Sequence, residues 1–442
     1  MKKTLSILFF VPLALVLIVE LPRIANDPAF WTYRGAMVMI TGALTITWMS
    51  LAVLLSTRKE WLEKKLGGLD KVYHLHKWVG IGALVFVVLH WIAETGVKKI
   101  GRSGLVELPP RIKAPSATPP SELSEFLKDM FQFLGEWAFY IGGILILIAL
   151  FKKTISYKNF RLSHKIFPII FVMGAAHALY FMPARFWMTP IGWLIVALTV
   201  PAIFYSFGIF SGKLGAKKQS TATIVDFDKK ADGTLDLTLD APQWQGHQAG
   251  QFLFIHFGDK PKFEGAHPFT IASAWDPNKK TIRLGIKPLG DFTKILPTLI
   301  QKGQSVQIEG PYGDFIFDED PQKPQLWVAG GVGVTPFIAR LEDLAAKNKT
   351  ANVDFFCSLR NENAHFITEM KELSAKTGVR LHLWLSEKEG KSLALSTISA
   401  VFKPDSKVYF CGPFMWGESL LNHLKEKGMP EQNFLRERFE FR

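Results

Sequence analysis

Cysteine is scarce in this chain, because Cys357 and Cys411 are the only two among 442 residues. They form no CxxC motif and no disulfide pattern, which excludes a disulfide-rich scaffold and leaves no cysteine cluster for an iron–sulfur centre. Charged residues are also few, at 21% of the chain. The net charge of +13 comes with no nucleic-acid motif, so we predict no nucleic-acid partner and expect the basic charge to face anionic lipid.

Long apolar runs fill the N-terminal half as far as Phe210, whereas the chain beyond Lys213 alternates polar and apolar residues as soluble α/β proteins do. Most runs approach the ~20 residues that cross a bilayer as a helix. We expect the first run to be an uncleaved span, because no small-residue cleavage site follows it closely. The six predicted spans are Leu5–Val19, Ala36–Leu55, Val72–Ile92, Phe133–Phe151, Leu162–Phe181 and Ile191–Phe210.

The distribution of basic residues predicts the orientation of these spans. The segments MKK, TRKEWLEKK, KKTISYKNFR and GKLGAKK all fall on one side of a six-span bundle. Basic loops mark the cytoplasmic side of membrane proteins, so we expect the C-terminal half to be cytoplasmic. The lipid bilayer is the one macroscopic partner that the sequence predicts, and nothing in it indicates a protein partner.

Four histidines lie inside predicted spans, His76 and His90 in the third and His164 and His177 in the fifth. Ionisable groups inside a membrane are costly and usually functional, and neutral imidazole is a favoured axial ligand of haem iron. Both spans run outward from the cytoplasm, so His76 lies level with His164 and His90 lies level with His177. We predict that each pair binds one b-type haem, with the two levels roughly 21 Å apart.

The third and fifth spans differ in the spacing of their histidines. The third separates its two by fourteen residues, close to four helical turns, so both share one face. The fifth separates its two by thirteen, which puts them on different faces of a regular helix. Pro168 and Gly174 lie between them, so we expect a kink or local unwinding there that realigns the second histidine.

Histidine pairs on the third and fifth of six spans resemble the ferric reductase transmembrane family, which includes the NADPH oxidases and their bacterial relatives. The resemblance covers the whole chain and implies a multi-domain protein of the bacterial inner membrane. It implies a six-helix transmembrane haem domain at residues 1–212, then an antiparallel β-barrel flavin domain at 213–320. A doubly wound α/β nucleotide-binding domain follows at 321–442.

Three segments of the soluble half resemble the flavin-binding parts of the ferredoxin–NADP reductase superfamily. In HPFTIAS the resemblance places Phe269 near the isoalloxazine and the Thr270 hydroxyl at its polar edge, with His267 replacing a common arginine. IKPLGDFT offers backbone amides and a hydroxyl to the flavin pyrophosphate, and EGPYG matches the turn that closes this domain. The implied FAD-binding residues are His267, Pro268, Phe269, Thr270, Ile286, Lys287, Gly290, Thr293 and Phe439.

The segment LWVAGGVGVTPFIARLEDL is typical of a strand, a glycine-rich turn and a helix, which bring the backbone to a pyrophosphate at a helix N-terminus. It resembles the nicotinamide-nucleotide loop of the same reductases. Arg360, at the end of the next strand, either holds the 2′-phosphate of NADPH or is a solvated loop residue. The implied NAD(P)-binding residues are Gly330, Gly331, Val332, Gly333, Val334, Thr335, Pro336, Arg360, Cys411, Gly412 and Pro413.

Two further positions matter for hydride transfer. Cys411 either faces the nicotinamide, as the resemblance implies, or is a small buried hydrophobe. The chain ends in RERFEFR, where Phe439 matches the family's terminal aromatic that covers the flavin and Phe441 is the alternative register. Cys411 and Phe439 are therefore candidate catalytic residues.

The electron acceptor is the open question. A hydride carries two electrons and haem iron accepts one, so FAD has to lie between NAD(P)H and the haems. Arg34 matches an arginine at the oxygen site of the oxidases, but Glu94 stands where they carry a histidine. A carboxylate favours a cation such as chelated Fe³⁺, so the main hypothesis is a ferric or metal reductase with Arg34 and Glu94 at its acceptor site. The alternatives are an NADPH oxidase that makes superoxide or hydrogen peroxide, and an electron donor to a periplasmic protein or quinone.

Overall fold

A computed structural model describes residues 2–110, 121–150, 157–211, 218–258, 265–362 and 365–436. The chain forms two compact units. The first contains residues 1–62 and 72–214, and the second contains residues 63–71 and 215–441.

All the regular secondary structure among the described residues of the N-terminal half is helical. A five-residue π-helix, Ile92–Gly96, connects the fourth helix to the fifth. The α-helices are α1 Lys2–Asn26, α2 Phe30–Leu55, α3 Glu60–Leu66, α4 Leu69–Trp91, α5 Val97–Arg102, α6 Glu122–Leu150, α7 Tyr157–His164, α8 Phe167–Phe181, α9 Ala184–Trp187 and α10 Pro190–Phe210.

Six helical segments among the described residues are long and apolar enough to cross a membrane. The predicted six spans are confirmed, and the chain is an integral membrane protein. The first four segments are clearly longer than predicted, because helical hydrogen bonding continues past the apolar residues on which the prediction rested. The segments are Lys3–Asn26, Phe30–Leu55, Lys71–Arg102, Glu122–Leu150, Leu162–Phe181 and Pro190–Phe210.

The fifth span is interrupted where its sequence predicts a kink. Helix α7 ends at His164 and α8 begins at Phe167, directly before Pro168. Proline lacks the N–H that would continue the helical hydrogen bonds, so it fits the first turn of a new helix better than the middle of an old one. Gly174, the other predicted site of distortion, lies inside α8. Between the bundle helices, Val16, Phe171, Ala175 and Ile191 form part of a buried core.

The second unit begins with an antiparallel sheet of six strands in the order β4-β3-β6-β1-β2-β5. A bridge between Ile271 and Leu284 joins the two ends of this order and nearly closes a barrel around a buried aliphatic core. The strands are β1 Gln219–Lys229, β2 Leu235–Asp240, β3 Phe252–His256, β4 His267–Thr270, β5 Thr281–Ile286 and β6 Ser305–Tyr312, and helix α11 is Asp291–Ile295.

A parallel sheet of five strands follows, in the order β11-β10-β7-β8-β9. Its strands are apolar on both sides because helices cover both faces, with one buried core on each face. The barrel and this α/β domain confirm the predicted fold class. The elements are β7 Gln325–Gly330, α12 Thr335–Ala346, β8 Val353–Leu359, α13 Ile367–Thr377, β9 Arg380–Leu385, α14 Ser386–Glu389, α15 Leu395–Ser399, β10 Lys407–Cys411, α16 Phe414–Glu426 and β11 Phe434–Arg436.

Candidate functional site

The four membrane histidines form two pairs of facing rings. In the first pair, His76 of α4 and His164 of α7 have ring centroids 6.0 Å apart. In the second pair, His90 of α4 and His177 of α8 have ring centroids 6.5 Å apart. Two imidazoles bound to opposite sides of one metal ion, each through a bond of about 2 Å, have ring centroids about 6 Å apart. Both pairs therefore have the separation that one iron between the two rings requires.

Hydrogen bonds orient three of these imidazoles. Nδ1 lies 2.8 Å from the Ala52 carbonyl in His76, 3.1 Å from the Val38 carbonyl in His90 and 2.8 Å from the Phe131 carbonyl in His177. A carbonyl oxygen can only accept, so Nδ1 carries the proton and the Nε2 lone pair is available to a metal. This is the arrangement that metal-binding histidines commonly have.

His164 is the exception among the four. Its Nδ1 is buried and has no hydrogen-bond partner among the described residues. Instead its ring lies between two phenylalanines, with centroid distances of 5.1 Å to Phe160 and 4.8 Å to Phe167. The His164 ring lies at the break before Pro168. There it packs among aromatic rings, and no described backbone carbonyl accepts a hydrogen bond from it.

Glu94 is held by two cations. Nη2 of Arg34 donates to its carboxylate at 2.6 Å and to its backbone carbonyl at 2.7 Å, and Lys98 pairs with the other carboxylate oxygen. The three residues, called here the Glu94 cluster, have a net charge of +1. The negative charge of Glu94, which we expected to attract a cation, is therefore more than balanced by Arg34 and Lys98.

A second ion cluster was not predicted from the sequence. The carboxylate of Glu20 is fully buried and accepts from Arg23 at 2.9 Å and from Arg185 at 2.7 Å. Its one signal in the sequence is a glutamate directly after the predicted first span. The guanidinium of Arg23 also lies 3.1 Å from where a Cβ of Gly35 would be, so this Glu20 cluster adjoins α2 beside Arg34.

The predicted flavin segments come together at the edge of the barrel. Strand β4 pairs with β3, so that His267 lies opposite Ile255. The His267 ring stacks on Phe292, with a centroid distance of 3.8 Å and an interplanar angle of 2°. This stack joins HPFT to GDFT, while Phe269 is half-buried against the barrel core and Thr270 is buried.

The Gly290 turn has the form of a cradle for a phosphate. The Gly290 N–H donates to the Thr293 hydroxyl at 3.0 Å, and that hydroxyl lies 3.2 Å from the Gly290 carbonyl. A Cβ at Gly290 would meet no atom of the described residues within 4 Å. This open backbone fits the predicted pyrophosphate-binding role, and Ile286 and Lys287 lead into it from strand β5.

The predicted nucleotide loop lies where the central strand β7 ends. Gly331 has a φ of +59°, a conformation that favours glycine. A Cβ at Gly333 would overlap the Cys411 carbonyl and lie 3.2 Å from its Sγ, and one at Gly412 would lie 3.2 Å from the Gly330 nitrogen. The two predicted segments therefore touch through their glycines, at the carboxyl ends of the adjacent strands β7 and β10.

Cys411 and Lys287 both lie beside the nucleotide loop. Cys411 is fully buried beside Ala329, so its thiol is a small packed group in this structure. The Lys287 ammonium lies 3.5 Å from where a Cβ of Gly331 would be. A cation of the predicted flavin segment is thus next to the predicted nucleotide loop, which fits a place where two pyrophosphates come close.

Arg360 follows β8 and is paired with Glu387 of α14. The Arg360 Nε donates to Glu387 at 2.6 Å, and the Asn361 amide donates to the same carboxylate at 2.9 Å. The Arg360 side chain is 83% exposed, so it is accessible to a nucleotide phosphate, which would have to compete with Glu387. Phe439 and Phe441 lie outside the described residues.

A partly buried ion cluster joins the barrel to the nucleotide-binding domain. Nη2 of Arg283, on β5, lies 2.6 Å from Glu369 of α13 and 3.3 Å from Glu342 of α12. The Ala274 N–H also donates to Glu342, at 2.8 Å. Burial raises the pKa of Glu342 to about 7. This Arg283 cluster ties strand β5, which leads into Lys287, to the helix that starts at Thr335 in the nucleotide loop.

Three family models match the chain in sequence order. Residues 41–175 match the ferric reductase like transmembrane component, residues 220–316 match an FAD-binding domain and residues 327–418 match an oxidoreductase NAD-binding domain. The matched ranges contain three of the four membrane histidines, all but His177, and all the described residues that we predicted to bind FAD or NAD(P)H.

Several curated proteins are similar to the chain. A probable ferric reductase transmembrane component of Candida albicans is 23% identical over 88% of the chain. Dual oxidase 2 of Rattus norvegicus is 22% identical over 80%, and flavohemoprotein A of Dictyostelium discoideum is 27% identical over 37%. The chain spans 55%, 25% and 44% of the length of these three relatives, respectively.

One solved structure is similar in fold along nearly the whole chain. The crystal structure of flavohemoglobin from Malassezia yamatoensis, determined with bound FAD and heme, has a TM-score of 0.51 and 17% sequence identity. The similarity covers 95% of this chain and 98% of that one. At this identity the comparison describes the fold alone.

Proposed function

We propose that this chain, in which a ferric reductase-like transmembrane domain precedes an FAD-binding and an NAD-binding domain, moves electrons across a membrane. As an NAD(P)H-dependent oxidoreductase, it takes electrons from NAD(P)H and delivers them through FAD and two b-type haems to an acceptor on the far side. We assign the transmembrane domain to residues 1–212, the flavin domain to 213–320 and the nucleotide-binding domain to 321–442.

The observation that carries this proposal is the pairing of the membrane histidines. Each pair has the ring separation that one iron requires, and three of the four imidazoles donate Nδ1–H to a backbone carbonyl. A structural histidine in a membrane needs one such bond, but it needs no second imidazole facing its Nε2. We therefore assign His76 with His164, and His90 with His177, as the axial ligands of the two haems.

The soluble half supplies the donor side. Flavin, when bound, converts a two-electron hydride into single electrons. For this purpose the chain offers the Gly290 turn and the HPFT strand to FAD, and the Gly330–Pro336 loop to NAD(P)H. Lys287 lies beside both, and Cys411 packs behind the nucleotide loop, where its carbonyl and thiol leave room only for glycine at residue 333.

We propose that the second histidine pair faces the outside and that the C-terminal half is cytoplasmic, in a bacterial inner membrane. The basic segments around the first pair support this orientation through the excess of Lys and Arg in cytoplasmic loops. The Glu94 and Glu20 clusters then lie at the outer surface, where Glu94 is one turn beyond His90.

For the acceptor we propose a ferric or other metal chelate. Each outer cluster contains two cations for one carboxylate, so together they have a net charge of +2. Such a surface favours an anionic chelate, in which organic carboxylates surround the metal, over a free metal cation. The similarity to a probable ferric reductase component agrees with this choice.

Oxygen is the second candidate acceptor. Its support is Arg34, whose side chain is 9% exposed and which lies near the turn that follows His90. A buried guanidinium stabilises a superoxide-like charge, and similarity to a dual oxidase points the same way. A quinone or a periplasmic protein would be an acceptor of a third kind. The experiment below includes a soluble quinone as one of its acceptors.

The experiment reduces the purified protein with NADPH in the absence of oxygen and follows both haems by stopped-flow absorbance. The reduced protein is then mixed with ferric citrate, with oxygen plus a superoxide trap, or with a soluble quinone. We expect two haems and one FAD per chain, and faster reoxidation by ferric citrate than by oxygen. Absence of haem would refute the function, and fast reoxidation only by oxygen or quinone would refute the choice of acceptor.

A further inference from the structure

We propose that Gly42 and Gly135 are positioning residues for the second histidine pair, an inference that rests on the proposed haem-binding function. Each glycine stands where a side chain would block a helix carbonyl from a histidine, and so allows that carbonyl to orient one of the two imidazoles. The same construction occurs on two separate helices, α2 and α6.

On α2 the acceptor is the Val38 carbonyl, 3.1 Å from Nδ1 of His90. Gly42 is the fourth residue after Val38. A Cβ at Gly42 would lie 3.1 Å from Cε1 and 3.2 Å from Nδ1 of His90, which is tighter than ordinary contacts. The Thr41 hydroxyl lies 3.3 Å from the same nitrogen.

On α6 the acceptor is the Phe131 carbonyl, 2.8 Å from Nδ1 of His177. Gly135 is again the fourth residue after the acceptor. A Cβ at Gly135 would overlap Nδ1 of His177 and would lie 2.6 Å from both Cε1 and Cγ. The ring of His177 therefore occupies the volume that a side chain at residue 135 would take.

The geometry of an α-helix explains the repeated spacing. A helix carbonyl accepts from the N–H four residues later, and it has a second lone pair for another donor. Side chains four residues apart lie on the same face, so the Cβ of residue i+4 flanks the carbonyl of residue i. Removing that Cβ lets an imidazole approach the carbonyl from the side and rest against the backbone.

The first pair is built differently. His76 uses the Ala52 carbonyl, four residues before Ser56, which is the cap residue just beyond the end of α2. His164 has no acceptor for Nδ1 among the described residues. Among the described residues, backbone carbonyls therefore orient both imidazoles of the second pair but one imidazole of the first pair. Hydrogen bonding at Nδ1 makes imidazole a stronger donor to a metal and favours the oxidised ion, so weakening either bond in the second pair should raise the reduction potential of the haem that this pair would hold.

The test compares three alanine variants of the full-length holoprotein. Gly135→Ala and Gly42→Ala place a Cβ in the two contacts. Gly143→Ala is the matched control, because it lies on α6 and its Cβ would meet no described atom within 4 Å. Alanine is favoured over glycine inside a helix, so helix propensity alone predicts no damage from any of the three.

The contacts predict a graded result. Gly135→Ala should displace His177 and lose one haem, whereas Gly143→Ala should keep both with unchanged spectra. Gly42→Ala needs shifts of only a few tenths of an ångström, so it should keep both haems. The midpoint potential of one haem should rise, and the low-spin electron paramagnetic resonance signal of the same haem should change.

Several outcomes would overturn the inference. One is a Gly135→Ala protein that keeps both haems with wild-type potentials, while His177→Leu loses one; the proposed function would then stand without it. If Gly135→Ala cannot be purified with its FAD, Gly42→Ala decides, and an unchanged potential and resonance signal in that variant overturn the inference. A wild-type protein without haem overturns the inference and the function together.

Discussion

Replacing Glu342 by glutamine should change the way in which the stability of the flavin- and nucleotide-binding half depends on pH. Glu342 lies in the Arg283 cluster between the two domains, where burial raises its pKa from 4.5 to about 7. A carboxyl group with a higher pKa in the folded state binds its proton more tightly there. Its contribution to stability is therefore present at low pH and is lost as the pH rises from the unfolded pKa through the folded one.

The size of this effect follows from the two pKa values. Between about pH 5.5 and about pH 8, they predict that ionisation of Glu342 costs about 2 kcal/mol of stability. Glutamine does not ionise, and its side-chain carbonyl can still accept the Ala274 N–H. The variant should therefore lack this loss and be more stable than the wild type at the upper end of the range.

The assay is the release temperature of FAD, read from its fluorescence on heating the purified full-length protein across this pH range. For a unit of this size, 2 kcal/mol corresponds to a difference of about 4–8 °C in midpoint. Glu372→Gln is the control, because Glu372 is an exposed glutamate on α13, the helix of Glu369. Parallel pH profiles for the wild type and Glu342→Gln would refute the reasoning, since the cluster would then hold an ionised Glu342 throughout.

The other predictions concern the haems, the nucleotide and the acceptor. His177→Leu should remove one of two haems, as measured by haem content per chain; retention of both would refute the ligand assignment. Glu387→Gln should raise kcat/KM for NADPH by a few-fold, because the nucleotide phosphate would no longer compete with this carboxylate for Arg360, and exposed ion pairs are weak. Arg360→Ala should lower it at least about tenfold and leave NADH nearly unchanged, and equal losses for both would make Arg360 a solvated residue. Lys98→Gln should slow reoxidation by ferric citrate about threefold at low ionic strength, without slowing haem reduction by NADPH; a salt-independent effect would contradict this.

The features that the sequence predicts well are those that depend on order and spacing along one element. The histidine levels, the break before Pro168 and the glycine-rich turn after β7 are all of this kind. An apolar run sets the length of a span, and a proline sets where a helix can restart. The same reasoning misplaced helix ends such as Glu122, because polar residues at a membrane surface continue a helix as readily as apolar ones.

The features that the sequence did not predict are contacts between distant elements. Arg34 and Glu94 were both predicted at the acceptor site, but the ion pair between them, across sixty residues, was not. Arg34 and Lys98 together bring the local charge to +1. Gly42 and Gly135 were ordinary glycines of apolar spans until their histidine neighbours were known. Side-chain partners of this kind depend on how helices pack, and no periodicity records that.

At the π-helix Ile92–Gly96 in the third span, the number of residues matters more for the local structure than the identity of each residue. A π-helical turn closes its hydrogen bonds over one residue more than an α-helical turn does, so a single-residue deletion can convert one into the other. Deleting Ala93 would therefore turn Ile92–Gly96 into ordinary α-helix, and α5 with Lys98 would keep nearly its present direction, because the wider turn holds the one extra residue. The same deletion inside α4 or α5 would instead rotate every residue beyond it by about 100°. Among natural homologues, a one-residue gap at the π-helix would therefore leave the Glu94 cluster nearly in place, whereas a gap elsewhere in the third span would rebuild it.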